Sequence, residues 1–270
     1  MKWSKEAEKT IQRVPFFIRK RVRKKVEAYA KEQGISTITN KHIDECKQRF
    51  VRSMDRELKG YAVETCLGAQ ECSNRTMSDT DIADKIESFL QGQGMKEFLQ
   101  ERLSHPLKVH NEFRVSISFC PNSCSRPQIV DIGLIGAVCP VVSDDECNGC
   151  GLCKRACDEE AISLEGDFVK ILEYKCLYCG QCISRCPTGS IAKAKEGFRV
   201  LVGGKLGRHP QLGFELPGIF SPERALEIIE KVTLFYKARC KKGERLGVLL
   251  AKSGFEDLMK ELNLSSGEEK

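Results

Sequence analysis

The pattern of apolar and polar positions changes character along the chain. In "FFIRKRVRKKVEAYAKEQG", Ile18, Val22, Val26, Tyr29 and Ala30 recur at helical spacing, and Gly34 suits a C-terminal stop. Ser4 predicts an N-cap ahead of "KEAEKTI", and Pro15 separates that helix from the next. A third helix begins near Thr39 or Asn40 and runs to Arg52, so residues 1–55 read as a small helical module. Strand patterns start near residue 60: "YAVETC", the alternating "FRVSISF", "IVDIGLIG" and "FRVLVGG". Between the first two lies a capped helical stretch, "SDTDIADKIESFLQGQGMKEFLQERL", interrupted at Gly92 and Gly94. Ser221 followed by Pro222 opens a helix reaching about Arg239, and "FEDLMKELN" makes a last short helix before a polar tail. Strands and helices mixed around a cysteine-rich insertion predict an α+β body.

Composition narrows the function. No apolar run approaches the roughly 18 to 20 residues that span a bilayer. "MKWSKEAEKT" has no apolar core of a secretory signal, so a cytoplasmic location is expected. In a reducing compartment 15 cysteines point to metal or catalysis rather than disulfides. The formal charge of +6 carries no nucleic-acid reading, because thiolate-ligated clusters of about −2 each would cancel it.

The insertion holds an internal repeat. A shift of 29 residues carries Cys147, Cys150, Cys153 and Cys157 onto Cys176, Cys179, Cys182 and Cys186, and Ile162 onto Ile191. Both stretches are C-x2-C-x2-C-x3-C, the second with Pro187 after it and the first with Asp158 there. In such runs three close cysteines hold one cubane and the fourth ligates the other. Cys147, Cys150, Cys153 and Cys186 would hold one [4Fe–4S] cluster, and Cys176, Cys179, Cys182 and Cys157 a second. Gly149, Gly151 and Gly180 let the backbone wrap closely. The alternative is zinc, whose tetrahedral sites pair two knuckles and need no third cysteine in each run.

A second set, "CLGAQEC" and "CPNSC", spaces Cys66, Cys72, Cys120 and Cys124 as C-x5-C and C-x3-C. With "IVDIGLIG" following and the Gly-rich "FRVLVGGKLGRHPQL" after the insertion, this resembles the nitrite and sulfite reductase family over roughly residues 60–250. In particular it is similar to small or dissimilatory-type members with a ferredoxin insert. The resemblance implies a sulfite-reductase-like half-unit at 56–137 and 195–270, interrupted by a two-cluster ferredoxin at 138–194. It implies a third [4Fe–4S] cluster coupled to sirohaem, with Cys124 as the bridging thiolate, and reduction of sulfite or nitrite. Four structural cysteines, or a third cluster with no haem, remain alternatives.

Sirohaem has eight carboxylates and the substrate is a small anion, so the site calls for cations. Arg75, Arg114, Lys205 and Arg208 are the candidates, with backbone amides around Gly203, Gly204 and Gly207; Lys108, His110, Arg126 and His209 rank behind them. Each has a solvated surface charge as its alternative. Full-length family members contain two such halves and this chain has one, which implies a homo- or hetero-oligomer. The electron donor would be a ferredoxin or a reductase subunit, and an electron-transfer subunit without haem or catalysis is the competing function. The N-terminal segment resembles the small C-terminal helical domain found in light-independent protochlorophyllide reductase, through Trp3, Ala7, Pro15, Phe16, Phe17, Arg19 and Tyr29. Seven basic residues from Arg13 to Lys25 make either a solvated face or a docking surface. Cys46, Cys139 and Cys240 are expected to be inert thiols. No dinucleotide, P-loop or Ser-His-Asp signature is present.

Overall fold

The computed structural model describes residues 1–77, 81–143, 147–166 and 168–264, without the side chains of 51–57 and 253. The expected helix cap at 78–80 and the polar tail at 265–270 lie outside the described residues. The chain divides into two compact units, Met1–Leu58 with Ser104–His110, and Lys59–Leu103 with everything from Asn111 onward. No described helix is long and apolar enough to cross a membrane.

The first unit contains β1 (Lys2–Trp3), α1 (Lys5–Gln12), α2 (Phe16–Glu32), β2 (Thr37–Ile38) and α3 (Asn40–Glu57). Ser4 caps α1 by accepting from the Ala7 amide at 3.2 Å. Ala7, Val26, Ala30 and Ile38 form the core, with Trp3, Val22, Ile35, Ile43 and Cys46 packed around it. β1 and β2 pair in parallel, a contact too short for a sequence pattern to announce. Several of the seven basic residues serve the fold, Lys25 among them, whose ammonium lies 3.9 Å from the centroid of the Phe50 ring. Arg19 donates to the Gln12 and Val14 carbonyls at the end of α1, and Arg23 bonds Glu8 and Glu27.

The second unit runs β3 (Tyr61–Thr65), α4 (Ile82–Gln91), α5 (Met95–Gln100), β4 (Phe113–Ser118), β5 (Ile132–Val142), α6 (Leu152–Arg155), β6 (Ile162–Glu165), β7 (Phe168–Ile171), α7 (Gln181–Arg185), β8 (Ile191–Val202), β9 (Phe214–Glu215), α8 (Pro222–Arg239), α9 (Leu246–Ser253) and α10 (Phe255–Glu261). Five strands form one sheet in the order β3-β4-β5-β8-β9, and β6 pairs with β7 separately. β3, β4 and β5 are parallel, whereas β5–β8 and β8–β9 are antiparallel. Register puts Val115 beside Ile132 and Val202, and Ile117 beside Leu134 and Val200. All six are buried, and Tyr236 of α8 stacks on Phe113 of the same face, with centroids 5.2 Å apart. Ser116 and Ser118 sit on the opposite face beneath Ser125, to which both hydroxyls bond at 2.7 Å.

β5 and β8 are longer than their sequence patterns predict, because the ladder continues to Val142 opposite Ile191 and is carried on by Ser143 N–H to the Ser190 carbonyl at 2.9 Å. Residues 143–190 therefore leave and re-enter the sheet side by side. α9 is an element that the sequence pattern does not mark; Leu246, Leu249 and Leu250 are buried on it.

Candidate cluster and anion-binding site

Cys66 follows β3 directly and Cys120 comes two residues after β4, so both cysteine loops leave the C-terminal ends of neighbouring parallel strands, where open α/β sheets place their ligands. The Cys66 amide bonds the Ile117 carbonyl at 3.0 Å, and its sulfur accepts from Gly68 and Phe119 amides at 3.3 and 3.4 Å. Ser123 and Arg126 adopt left-handed φ of 53° and 59°, a conformation that costs side-chain-bearing residues energy and folds this loop back over β4. Burial pushes the Cys120 thiol up; the Asn122 amide opposes this, and Cys66, Cys124 and Cys72 add to it as neighbouring charges. The four cysteines thus share one locality, with Cys120 inside and Cys72 and Cys124 exposed.

Two further cavities lie in the insertion. One is lined by Cys147, Cys150, Cys153 and Cys186, the other by Cys157, Cys176, Cys179 and Cys182. Each cavity takes three cysteines from one run and one from the other. Burial pushes Cys182 up to about 12, reinforced by Cys179, Cys176 and Cys157. At Cys186 burial is outweighed by the Thr188 hydroxyl and nearby amides, which hold the thiol below its ordinary value. Amides of Ala161 and Tyr178 donate to Cys157 and Cys176 sulfur at 3.3 and 3.4 Å, the contacts that tune bound clusters. No group of three or more His, Cys, Asp or Glu among the described residues is placed to hold a single metal ion.

The candidate cations have different surroundings. Arg114 on β4 pairs with Glu64, and its Nε is buried with no hydrogen-bond partner. Lys205 donates to the His209 carbonyl within the Gly-rich hairpin, closed by reciprocal backbone bonds of 2.9 Å between Lys205 and Gln211; Arg208 is exposed at its tip. Gly203 has φ +80° and its amide bonds the Asp131 carbonyl at 2.8 Å, while a Cβ on Gly204 would stand 2.4 Å from the Gln128 carbonyl. Gly207 has φ +107° at the exposed tip. Arg75 instead lines an open cleft of about 430 Å³, whose walls include both Cys120 and Cys179. Lys108 and His110 belong to the first unit; Arg126 opens the short turn that precedes β5.

Sequence reasoning missed Lys193 and Arg199. Lys193 lines the same cleft, and Arg199 forms a bidentate pair with Glu215 at 2.6 and 2.7 Å beside Tyr178 and Cys176. Neither has a motif, because the β5–β8 register brings them there. Cys139 lies near Cys176, while Cys46 and Cys240 are thiols whose burial pushes them up.

Comparison with known proteins gives these features a context. Residues 60–270 match the "Nitrite and sulphite reductase 4Fe-4S domain" family, and residues 3–47 match the "Proto-chlorophyllide reductase 57 kD subunit" family. A coenzyme F420-dependent sulfite reductase of Methanocaldococcus jannaschii is 34% identical over 73% of this chain, which covers 30% of that protein. A component of the light-independent protochlorophyllide reductase of Rhodopseudomonas palustris is 42% identical over 18% of the chain and 9% of its own length. In fold, the chain is similar to the crystal structure of dissimilatory sulfite reductase I, with a TM-score of 0.52, 18% identity, and coverage of 77% of this chain and 55% of that one.

Proposed function

Because the chain belongs to the nitrite and sulphite reductase 4Fe-4S domain family, we propose that it is the cluster-bearing half of an enzyme that reduces sulfite, or nitrite, on sirohaem. The observation that carries this reading is the Cys66, Cys72, Cys120 and Cys124 set at the C-terminal ends of β3 and β4, separate from both cavities of the insertion. Three [4Fe–4S] clusters would occupy the three cysteine sets. Bound clusters would supply single electrons, and the haem iron an open position for the substrate.

The protein's own part is to hold, orient and neutralise. Lys205 and Arg208, with the backbone around Gly207 at the exposed tip, offer cations and donors to a polycarboxylate or a small oxyanion, whereas the Gly203 amide is already taken by the Asp131 carbonyl. The orphaned Nε of Arg114 is a donor left for such a group. Leu67, 78% exposed beside Cys66, offers an apolar surface next to the thiolates. One half-unit leaves the remaining haem contacts to a second copy or a partner protein.

Anaerobic purification of the full chain, a visible spectrum, and acid–acetone extraction test the proposal. Extracted sirohaem, with bands that shift when sulfite is added, is the expected result. Iron and sulfide for three clusters without any tetrapyrrole would make the chain an electron-transfer subunit.

A further inference from the structure

Strand β5 holds two of the cysteine sets at adjacent points. Gly136 and Val138 project from the same face of β5, one repeat of about 7 Å apart. A Cβ on Gly136 would stand 2.6 Å from the Phe119 carbonyl, so the residue before Cys120 lies directly against the strand. The Val138 amide donates to the Tyr178 carbonyl at 2.7 Å, and Val138 bridges Cys179. The cleft of about 430 Å³ shares both cysteines as walls, and its lining includes Arg75, Lys193 and several amide and hydroxyl side chains but, among the described residues, no Asp or Glu. Lys193 pairs with Glu196 at 2.6 Å, whereas no carboxylate among the described residues pairs with Arg75. Among the described residues, the cavity of Cys147, Cys150, Cys153 and Cys186 shares no lining residue with this cleft.

A cationic cleft without acids invites an oxyanion, but the charge count argues otherwise. Cubanes in the two flanking sets would bring on the order of −4 against two cations, one already paired. A further anion would meet net repulsion, so the cations are matched to the cysteine sets themselves. We infer that Arg75, supported by Lys193, is a positioning charge that raises the reduction potential of the groups held by Cys66, Cys72, Cys120 and Cys124 and by Cys157, Cys176, Cys179 and Cys182, leaving the Cys147, Cys150, Cys153 and Cys186 site untouched. Reduction adds a negative charge, which a neighbouring guanidinium stabilises; exposure of Arg75 makes the effect sensitive to salt. This inference rests on the proposed binding of three clusters.

The test is a redox titration of the full chain, reconstituted anaerobically with iron and sulfide and followed by electron paramagnetic resonance at low and high salt. Arg75→Gln should move two of three midpoint potentials to more negative values, with the third unchanged. Arg75→Lys should restore them, Lys193→Gln should give a smaller shift of the same two, and high salt should shrink every shift. Three clusters with no shift, or with all three shifted alike, would overturn the inference and leave the proposed function standing. A wild type that takes up only two clusters would overturn both.

Discussion

Asp131, 1% exposed, accepts from Arg245 Nε and Nη2 at 3.0 and 2.6 Å and from the amides of Arg114 and Leu246 at 3.0 and 3.3 Å. One carboxylate thus ties β4, the start of β5 and the first turn of α9. Removing one partner of a buried pair strands the other, at a cost of about 3–5 kcal/mol. Asp131→Ala should lower stability by that amount in chemical denaturation, and Arg245→Met should lower it less. Glu112 works in the other direction. Burial holds its carboxyl above the ordinary value, against the amides of Lys59 and Gly60 and the charges of Arg114 and Lys59. Below the ordinary carboxylate pKa both folded and unfolded chains keep the proton. As pH rises the unfolded chain loses it first, so stability falls until the raised folded pKa is passed. Glu112→Gln should therefore raise Tm at pH 7 and flatten Tm against pH across that window. Little of this is legible in the sequence. The spacing of cysteines is a local property and can be read directly, whereas Asp131 and Arg245 meet across 114 positions in sequence.

At the scale of elements, helices and strands follow their periodicity closely where one face is buried. Ile82, Ile86 and Leu90 line the buried side of α4, and Ser221 accepts from the Arg224 amide at 3.3 Å to cap α8 as its sequence announces. The patterns are weakest where elements carry no alternation. β5 continues through a bulge at Cys139 and Pro140, and α9 is apolar almost throughout. The contact of β5 with Phe119 depends on a missing side chain, since a Cβ on Gly136 would also stand 2.8 Å from Thr76 Oγ1. Gly136→Ala should push the Cys120 loop off the strand. On the proposed three-cluster reading, iron analysis after reconstitution should then show roughly a third of the iron lost, with the two sets of the insertion still filled.

For the whole molecule, the twofold cysteine repeat marks the insertion, but not where it attaches. That depends on pairing Val142 with Ile191, which no local pattern encodes. Since Ser143 and Ser190 are hydrogen-bonded neighbours, a two-residue turn can replace the connection between them without moving either strand. Excision of 144–189 in favour of Asn-Gly should leave a folded chain by circular dichroism. On the proposed three-cluster reading, its iron after reconstitution should drop from about twelve atoms to about four. An unfolded product would show that the insertion is part of the core rather than appended to it.

The same attachment has a kinetic consequence. To zip β5 against β8, the growing chain must close a loop of the whole insertion, an entropic cost of about 3 kcal/mol over a two-residue turn if that loop is slack. An insertion already gathered around its cysteines presents its two ends side by side and removes most of that cost. On the proposed cluster-binding reading, cluster assembly in the insertion would then speed formation of the surrounding sheet, and refolding without iron and sulfide should be slower than refolding with them.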